Sequence, residues 1–439
     1  MRDQAELILE LTWADVPLAV RSKVALLLRD LVAVSIAGRP APTAKIAADY
    51  ATAAHPGDEA TALFDGRKLA APGAAWANGV LANALDFDDG HRLVKGHPGA
   101  NVIPAALAVA EATRASSEEL LGAVAVGYEV ALRAGMHLHA RSREYHASGA
   151  WGGLGAAAAA ARLLGCDRTQ TGHALGLAEY HAPISLMPRS VSDPAMTKDA
   201  CGWGAFVGVS SALLAARGFT ALSSEYLVDE NAAASLAERW HVLDVYVKEF
   251  PCCRWSHPAI AAALALRADG GLDAATISRV RVQTFAAAGM LASEFPATTE
   301  EAQYSLLWPV AVALAHGRFD VELVLNPTTG GPEVRRLFDL VVMEVDPRFE
   351  DEFPARRRAT VTVETADGAV HASSPTEAPG EPDDPDQTEI VEAKLQASGI
   401  DLPPSVRETV SLAGLRIEEL LAVLASAEDD AQARVESKK

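Results

Sequence analysis

Aromatic residues are scarce in this chain, 6% of 439, and cysteines number only four. With so few rings, Ala, Leu and Val must fill the interior, which favours close helix packing. Cys166, Cys201, Cys252 and Cys253 show no paired metal-ligand spacing and two of them are adjacent, which argues against a disulfide framework and for a reducing, cytoplasmic setting. Positive charge is short as well, since 38 Lys and Arg stand against 58 Asp and Glu for a net charge of −20. Such a chain repels nucleic acid and anionic membrane surfaces, so neither is an expected partner. No stretch is apolar for long enough to span a membrane, and the charged start Met1-Arg2-Asp3-Gln4-Ala5-Glu6 lacks the apolar core of a signal peptide.

What is present is a large apolar fraction, 49%, in a chain longer than single cores usually grow, so two or three domains are expected. Ala/Leu segments with three- and four-residue spacing run from Arg21 to Leu243, and strand signals are nearly absent there. Ala156 to Ala161, preceded by Gly152, Gly153 and Gly155, predicts a buried central helix. After Val245 the character changes: 278–285, 340–345, 359–365 and 369–373 alternate apolar and polar residues, and Asp367-Gly368 supplies a hairpin turn. Helical stretches at 259–268 and 305–316 lie between them. The expectation is a mainly α protein, with a large all-helical domain over 1–245, a smaller α+β domain over 246–389, and a return to the helical domain over 390–439 through helices at 388–397 and 417–428. The Pro- and acid-rich 374–387 segment reads as an exposed loop.

Chemistry concentrates in Asp86-Phe87-Asp88-Asp89-Gly90-His91, followed by His97-Pro98-Gly99. Carboxylates clustered after a helix sit beside its partial negative charge, and a cation, a metal or a shared proton would offset that cost. Asp86-Phe87-Asp88-Asp89 has the DxDD form that some terpene cyclases use to protonate an alkene, but only Trp76 and Phe87 lie near it to stabilise a carbocation. Nor does the chain carry a compact helical His/Glu motif or a calcium-loop spacing, so no metal is expected.

Four further places each have a functional and an ordinary reading. His97 precedes a helix whose free N–H groups suit an anion, or it is a plain loop histidine. His146, among small residues, is a proton carrier or a helix cap. Lys198, beside Asp199, turns inward to a carboxylate or is surface charge. Lys248 to His257 places cations at the change from helical to mixed character, as a site between domains or a solvated linker. Arg189, in the 180–194 loop, either binds a carboxylate or faces solvent.

Together these segments resemble the MmgE/PrpD family over nearly the whole chain. The resemblance rests on Ala84-Leu85-Asp86-Phe87-Asp88-Asp89, Gly96-His97-Pro98-Gly99, Gly127-Tyr128-Glu129-Val130, Gly155 to Gly165, Met196-Thr197-Lys198, Gly218-Phe219-Thr220 and Lys248-Glu249-Phe250-Pro251-Cys252-Cys253 with His257. It implies a large helical domain joined to a smaller α+β domain in a homodimer, with a cofactor-independent site between domains that acts on a small di- or tricarboxylate. The family's catalytic aspartate falls on Asp86, its site histidines on His97 and His146, and its substrate-binding lysines on Lys198 and Lys248, with Cys253 in a further site position. The activity it implies is a lyase dehydrating a hydroxylated, 2-methylcitrate-like carboxylate. Epimerisation of an iminodisuccinate-like dicarboxylate is the alternative, ahead of decarboxylation or carboxylate binding without turnover. Decarboxylating relatives carry threonine where this chain has Gly90 and histidine where it has Cys253.

Overall fold

A computed structural model describes residues 4–228, 239–269 and 272–397. The mainly α expectation holds: helices dominate up to Val228, and a smaller α+β part follows. The predicted helix at 417–428 lies outside the described residues.

The Gly149–Leu163 helix is the axis of the first part, with every residue from Gly149 to Ala161 buried. It packs between the Ser117–Arg141 and Cys201–Ala216 helices. Small residues permit this approach. A Cβ at Gly155 would lie 2.3 Å from the carbonyl oxygen of Gly127, so neither helix tolerates a side chain at that crossing. The Ser117–Arg141 helix starts at a capping box in which Ser116 and Glu119 satisfy each other's backbone N–H groups.

The sequence pattern missed a small hairpin, β1 (Pro56–Thr61) paired with β2 (Lys68–Leu69). Pro56-Gly57-Asp58-Glu59 carries no apolar alternation, and those four residues are in fact largely solvent-facing. A second short pair matters more. β3 (Gly90–His91) runs antiparallel to β4 (Val245–Tyr246), which ties the acidic segment to the chain just where the helical pattern ends.

The α+β part holds a five-stranded sheet ordered β6 (Val341–Val345), β5 (Ile277–Thr284), β7 (Arg358–Thr365), β8 (Val370–Ala372), with β9 (Thr376–Glu377) also on β7. Only the β5–β6 pairing is parallel. Along β7, buried Ala359, Val361, Val363 and Thr365 alternate with half-buried residues, as the period-2 pattern predicts. The core beneath this sheet takes in Leu85 and Phe87 from the acidic segment, so the side chains flanking Asp86 anchor in the α+β part.

The 374–387 segment departs from the exposed loop expected of it. It contains β9, and it buries Glu381 and Gln387, because each meets a buried cation: Arg254 donates to Glu381 at 2.9 Å and Lys23 to Gln387 at 2.5 Å. The Gln387–Ala397 helix then packs on the Leu18–Gly38 helix, where Lys394 donates to Asp30 at 2.6 Å. No helix among the described residues is long and apolar enough to cross a membrane.

Candidate active site

The Ala71–Ala82 helix ends just before the acidic segment, and the groups left at its end are satisfied in pairs. Lys198 Nζ donates to the carbonyl of Asn83, and Gln303 Nε2 to that of Ala84 at 3.2 Å. Lys198 thus acts as a cation at a helix C-terminus, with Gln303 Oε1 as its second acceptor at 2.6 Å. Asp86, Lys95 and Lys198 have positive φ of 49°, 48° and 42°. Non-glycine residues in that region are strained, and here they gather around one site.

Asp86 is buried with two cations on its carboxylate. Lys248 Nζ lies 2.6 Å from Oδ1 and also donates to the carbonyls of Asp86 at 2.6 Å and Cys252 at 3.2 Å, so all three of its protons are engaged. His97 Nε2 is 3.1 Å from the same Oδ1. Burial works to raise the affinity of Asp86 for a proton, but Lys248, then His97 and Lys198, reverse it and hold the carboxyl well below its usual range. Asp86 is therefore a carboxylate rather than a proton donor, and Lys248 is correspondingly pushed up by Asp86 despite its own burial.

His97 stands among carboxylates. Its Nδ1 is 2.9 Å from the Asp89 carbonyl and 3.2 Å from Asp88 Oδ2, and its Nε2 faces Asp199 Oδ2 at 3.8 Å as well as Asp86. The Nδ1 proton points to the Asp89 carbonyl, since Asp88 Oδ2 has no partner of good hydrogen-bond geometry. Burial alone would lower the affinity of His97 for a proton, yet Asp88 and Asp86 outweigh burial and Lys248, so it is raised well above 6.5. An imidazolium results at neutral pH.

Asp89 faces the other way. It accepts from the Tyr128 hydroxyl at 2.5 Å and from the backbone N–H of Gly99 at 3.0 Å, so the helix N-terminus expected to attract an anion already holds this one. Burial, helped by Asp88 and Asp30, pushes Asp89 up to about 7 against those hydrogen bonds. Between pH 3.8 and about 7 the folded chain keeps a proton that the unfolded chain releases, so this group's contribution to stability falls as pH rises through that window. Relative to Asp89→Asn, the wild type is expected to lose on the order of 3 kcal/mol between pH 4.5 and 7.5. Urea midpoints of both proteins at the two pH values check this, and a pH-independent difference would contradict it.

A narrow cleft of about 390 Å³ of empty space, partly open to solvent, reaches Asp86, His97, Asp199, Lys248, Cys253 and Tyr304. The Tyr304 hydroxyl donates to Asp199 at 2.7 Å. Burial, foremost, pushes the Cys253 thiol up to about 12, which leaves it neutral. Lys198 and His146 are not on this wall. The His146 ring instead stacks on His139 with centroids 6.2 Å apart, and its Nδ1 has no hydrogen-bond partner among the described residues. Arg189 is exposed. The lining also carries Lys95, Arg254 and Arg357, with Tyr246 among them. Gly90 must be glycine here, because a Cβ would sit 2.4 Å from the Tyr246 hydroxyl.

Two groups among the described residues have ligand atoms close enough for a cation: Asp86, Asp88 and His97, and His91, His241 and Asp244. In the first, the Lys248 ammonium already neutralises Asp86. In the second, burial and then the charges of His241, Arg357, Arg92 and Arg239 push His91 down to about 3, and the same arginines repel a metal ion. Arginine charge opposes a cation at the second group.

Fold and site together define a mainly helical protein whose buried acid–base cluster lies on the seam with a smaller α+β part. Its family is equally definite. The chain belongs to the MmgE/PrpD family, with residues 2–238 matching the MmgE/PrpD N-terminal domain and residues 250–410 the MmgE/PrpD C-terminal domain. It is 27% identical over 326 residues to the cis-aconitate decarboxylase of Homo sapiens, a match covering 68% of this chain and 66% of that protein. It is 29% identical over 301 residues to the Mus musculus enzyme of the same name, covering 62% and 61%. With the cis-aconitate decarboxylase-like protein oryM of Aspergillus oryzae it shares 25% over 283 residues, 58% of each chain. The matched region therefore spans less than two thirds of these relatives' lengths.

Asp199, Tyr304, Gln303, Lys95 and Arg357 escaped the reading of the sequence. Asp199 carried a signal, since it adjoins Lys198 in a motif. Arg357 carried none. It sits in Arg356-Arg357-Arg358, which reads as a solvated charge run, and only its neighbours find surface carboxylates, Glu377 and Glu352.

Proposed function

We propose that this protein is a cofactor-independent lyase that dehydrates a small hydroxylated di- or tricarboxylate of the 2-methylcitrate type by proton transfer. The observation that carries the reading is His97, an imidazolium among Asp86, Asp88 and Asp199 on the wall of a polar cleft. In the dehydration the C–H bond next to a substrate carboxylate breaks and its proton passes to a base. The electron pair forms the double bond, and the C–O bond breaks as His97 protonates the hydroxyl, which leaves as water. Asp199, which lines the cleft, is the candidate proton acceptor, and His146 would serve only after moving into the cleft. Asp88 and Asp86 hold the positive charge of His97 in place, Lys248 fixes the Asp86 carboxylate, and Lys198 holds the helix end from which Asp86 projects.

The relatives' names favour a second reading, decarboxylation of cis-aconitate. Gly90 and Cys253 weigh against it, since Tyr246 leaves no room for a side chain at position 90 and a neutral thiol cannot do the work of an imidazole. Epimerisation of a dicarboxylate uses the same residues without loss of water. Proton NMR of the purified, chelator-treated protein with a panel of di- and tricarboxylates in deuterated water separates the three. The expected result is an alkene with release of water; carbon dioxide release assigns decarboxylation, and deuterium entering recovered substrate alone assigns epimerisation. No change in any member of the panel would sink the proposal. A homodimer in the cytoplasm is part of the same reading.

A further inference from the structure

The lysines expected to neutralise substrate carboxylates do not face the cleft as free cations. Lys248 has all three protons engaged, and Lys198 caps a helix behind the wall. A polycarboxylate entering beside His97 therefore needs positive charge from elsewhere. Other residues of the lining supply it. Arg357 is 1% exposed, and its Nε and Nη1 have no acceptor among the described residues. Its Nη2 donates to the carbonyl of Arg92, at 3.3 Å. Below it the guanidinium carbon lies 5.3 Å from the centre of the Tyr246 ring, which also carries Arg254 at 4.4 Å.

Arg254 is different in kind, because Glu381 already neutralises it at 2.9 Å. Lys95 is not. Its ammonium lies over the rings of Tyr145, at 3.5 Å, and Phe353, at 4.4 Å, and it has no carboxylate partner among the described residues. Both cations line the same cleft, and burial, then the charge of Arg357, pushes Lys95 down to about 8 against the opposing charge of Glu350. Two positive groups in one cleft, neither forming an ion pair with a carboxylate among the described residues, in a chain with a net charge of −20, are costly unless an anion joins them.

We infer that Arg357, with Lys95 beside it, is the subsite that binds a carboxylate of the substrate away from the reacting carbon, and so selects polycarboxylates over monocarboxylates. A carboxylate there supplies the acceptor that the buried guanidinium lacks, and charge-assisted hydrogen bonds of this kind are the strong ones. The face of the Tyr246 ring holds the guanidinium plane, and Gly90 leaves space for that ring. The inference rests on the polycarboxylate reading above but not on which reaction follows. Arg357 is a specificity residue here, since it binds substrate without moving a proton.

The test measures binding of propane-1,2,3-tricarboxylate, which has no hydroxyl to lose, and of its terminal monoamide, by calorimetry on the full chain at fixed salt. The wild type is expected to prefer the tricarboxylate by about 100-fold. In Arg357→Gln that preference should fall to within about threefold, with Arg357→Lys between. A merely structural role would weaken both ligands together and leave the ratio unmoved. Equal preference in the wild type and Arg357→Gln overturns this inference while leaving the polycarboxylate reading intact. If the wild type binds neither ligand, the polycarboxylate reading itself fails, and this inference with it. Should Arg357→Gln not fold, Lys95→Met at the more open position is expected to cut the preference about tenfold, and an unchanged preference there overturns the proposal.

Discussion

Asparagine in place of His97 is expected to lower turnover by roughly 10³-fold on whichever polycarboxylate proves to be the substrate, with KM changed by less than about fivefold. Asparagine keeps a hydrogen-bonding side chain between Asp86 and the Asp89 carbonyl but cannot hold a transferable proton. The loss therefore belongs to the step and not to binding. Steady-state kinetics with a thermal unfolding control measures it, and a variant keeping a tenth of wild-type turnover would remove His97 from the chemistry. His146→Gln supplies the comparison. A loss as deep as that of His97→Asn would assign the base to His146 and require its ring to leave His139 and enter the cleft.

The second large effect is on stability. Asp86→Asn leaves the Lys248 ammonium 1% exposed without its carboxylate, and breaking a buried pair from one side costs about 3–5 kcal/mol. Asparagine is the apt replacement because it tolerates the positive φ of 49° at this position. In Asp86→Asn/Lys248→Met the orphaned charge is gone, so the double variant is expected to be more stable than Asp86→Asn alone. Additive losses in urea unfolding would contradict the pairing. The pH window follows from the two shifts. The carboxyl, depressed in the folded state, contributes above 3.8 and is lost as pH falls towards its folded value. The ammonium, raised in the folded state, contributes fully below 10.5 and is lost at higher pH. The pair therefore stabilises the wild type across the range between, and Asp86→Asn should show its deficit there.

Much of the architecture was legible because it rests on local patterns. The period-2 alternation around Val280, Val361 and Val363 announced the sheet, and Asp367-Gly368 announced its hairpin. The alanine run with its glycines announced a buried helix. What stayed hidden has no local pattern. β3 and β4 are two residues long and meet across 155 positions of chain, from Gly90 to Val245, so nothing near either one signals the pairing. Glu381 looked like loop charge until Arg254 was seen to reach it.

The sequence by itself determined the family, the mainly helical fold with its α+β part, and the presence of a titratable cluster at Asp86 and His97, because motif order and hydrophobic period are properties of the chain. Only the tertiary structure decided which way the charges point. Folding sets Lys248 on Asp86 and Lys198 on a helix end, makes His97 cationic and Asp86 anionic, and leaves Arg357 lining the cleft with no carboxylate partner among the described residues. The reason is that protonation depends on burial and on distances between residues far apart in sequence, and both are created only when the two parts close on one another.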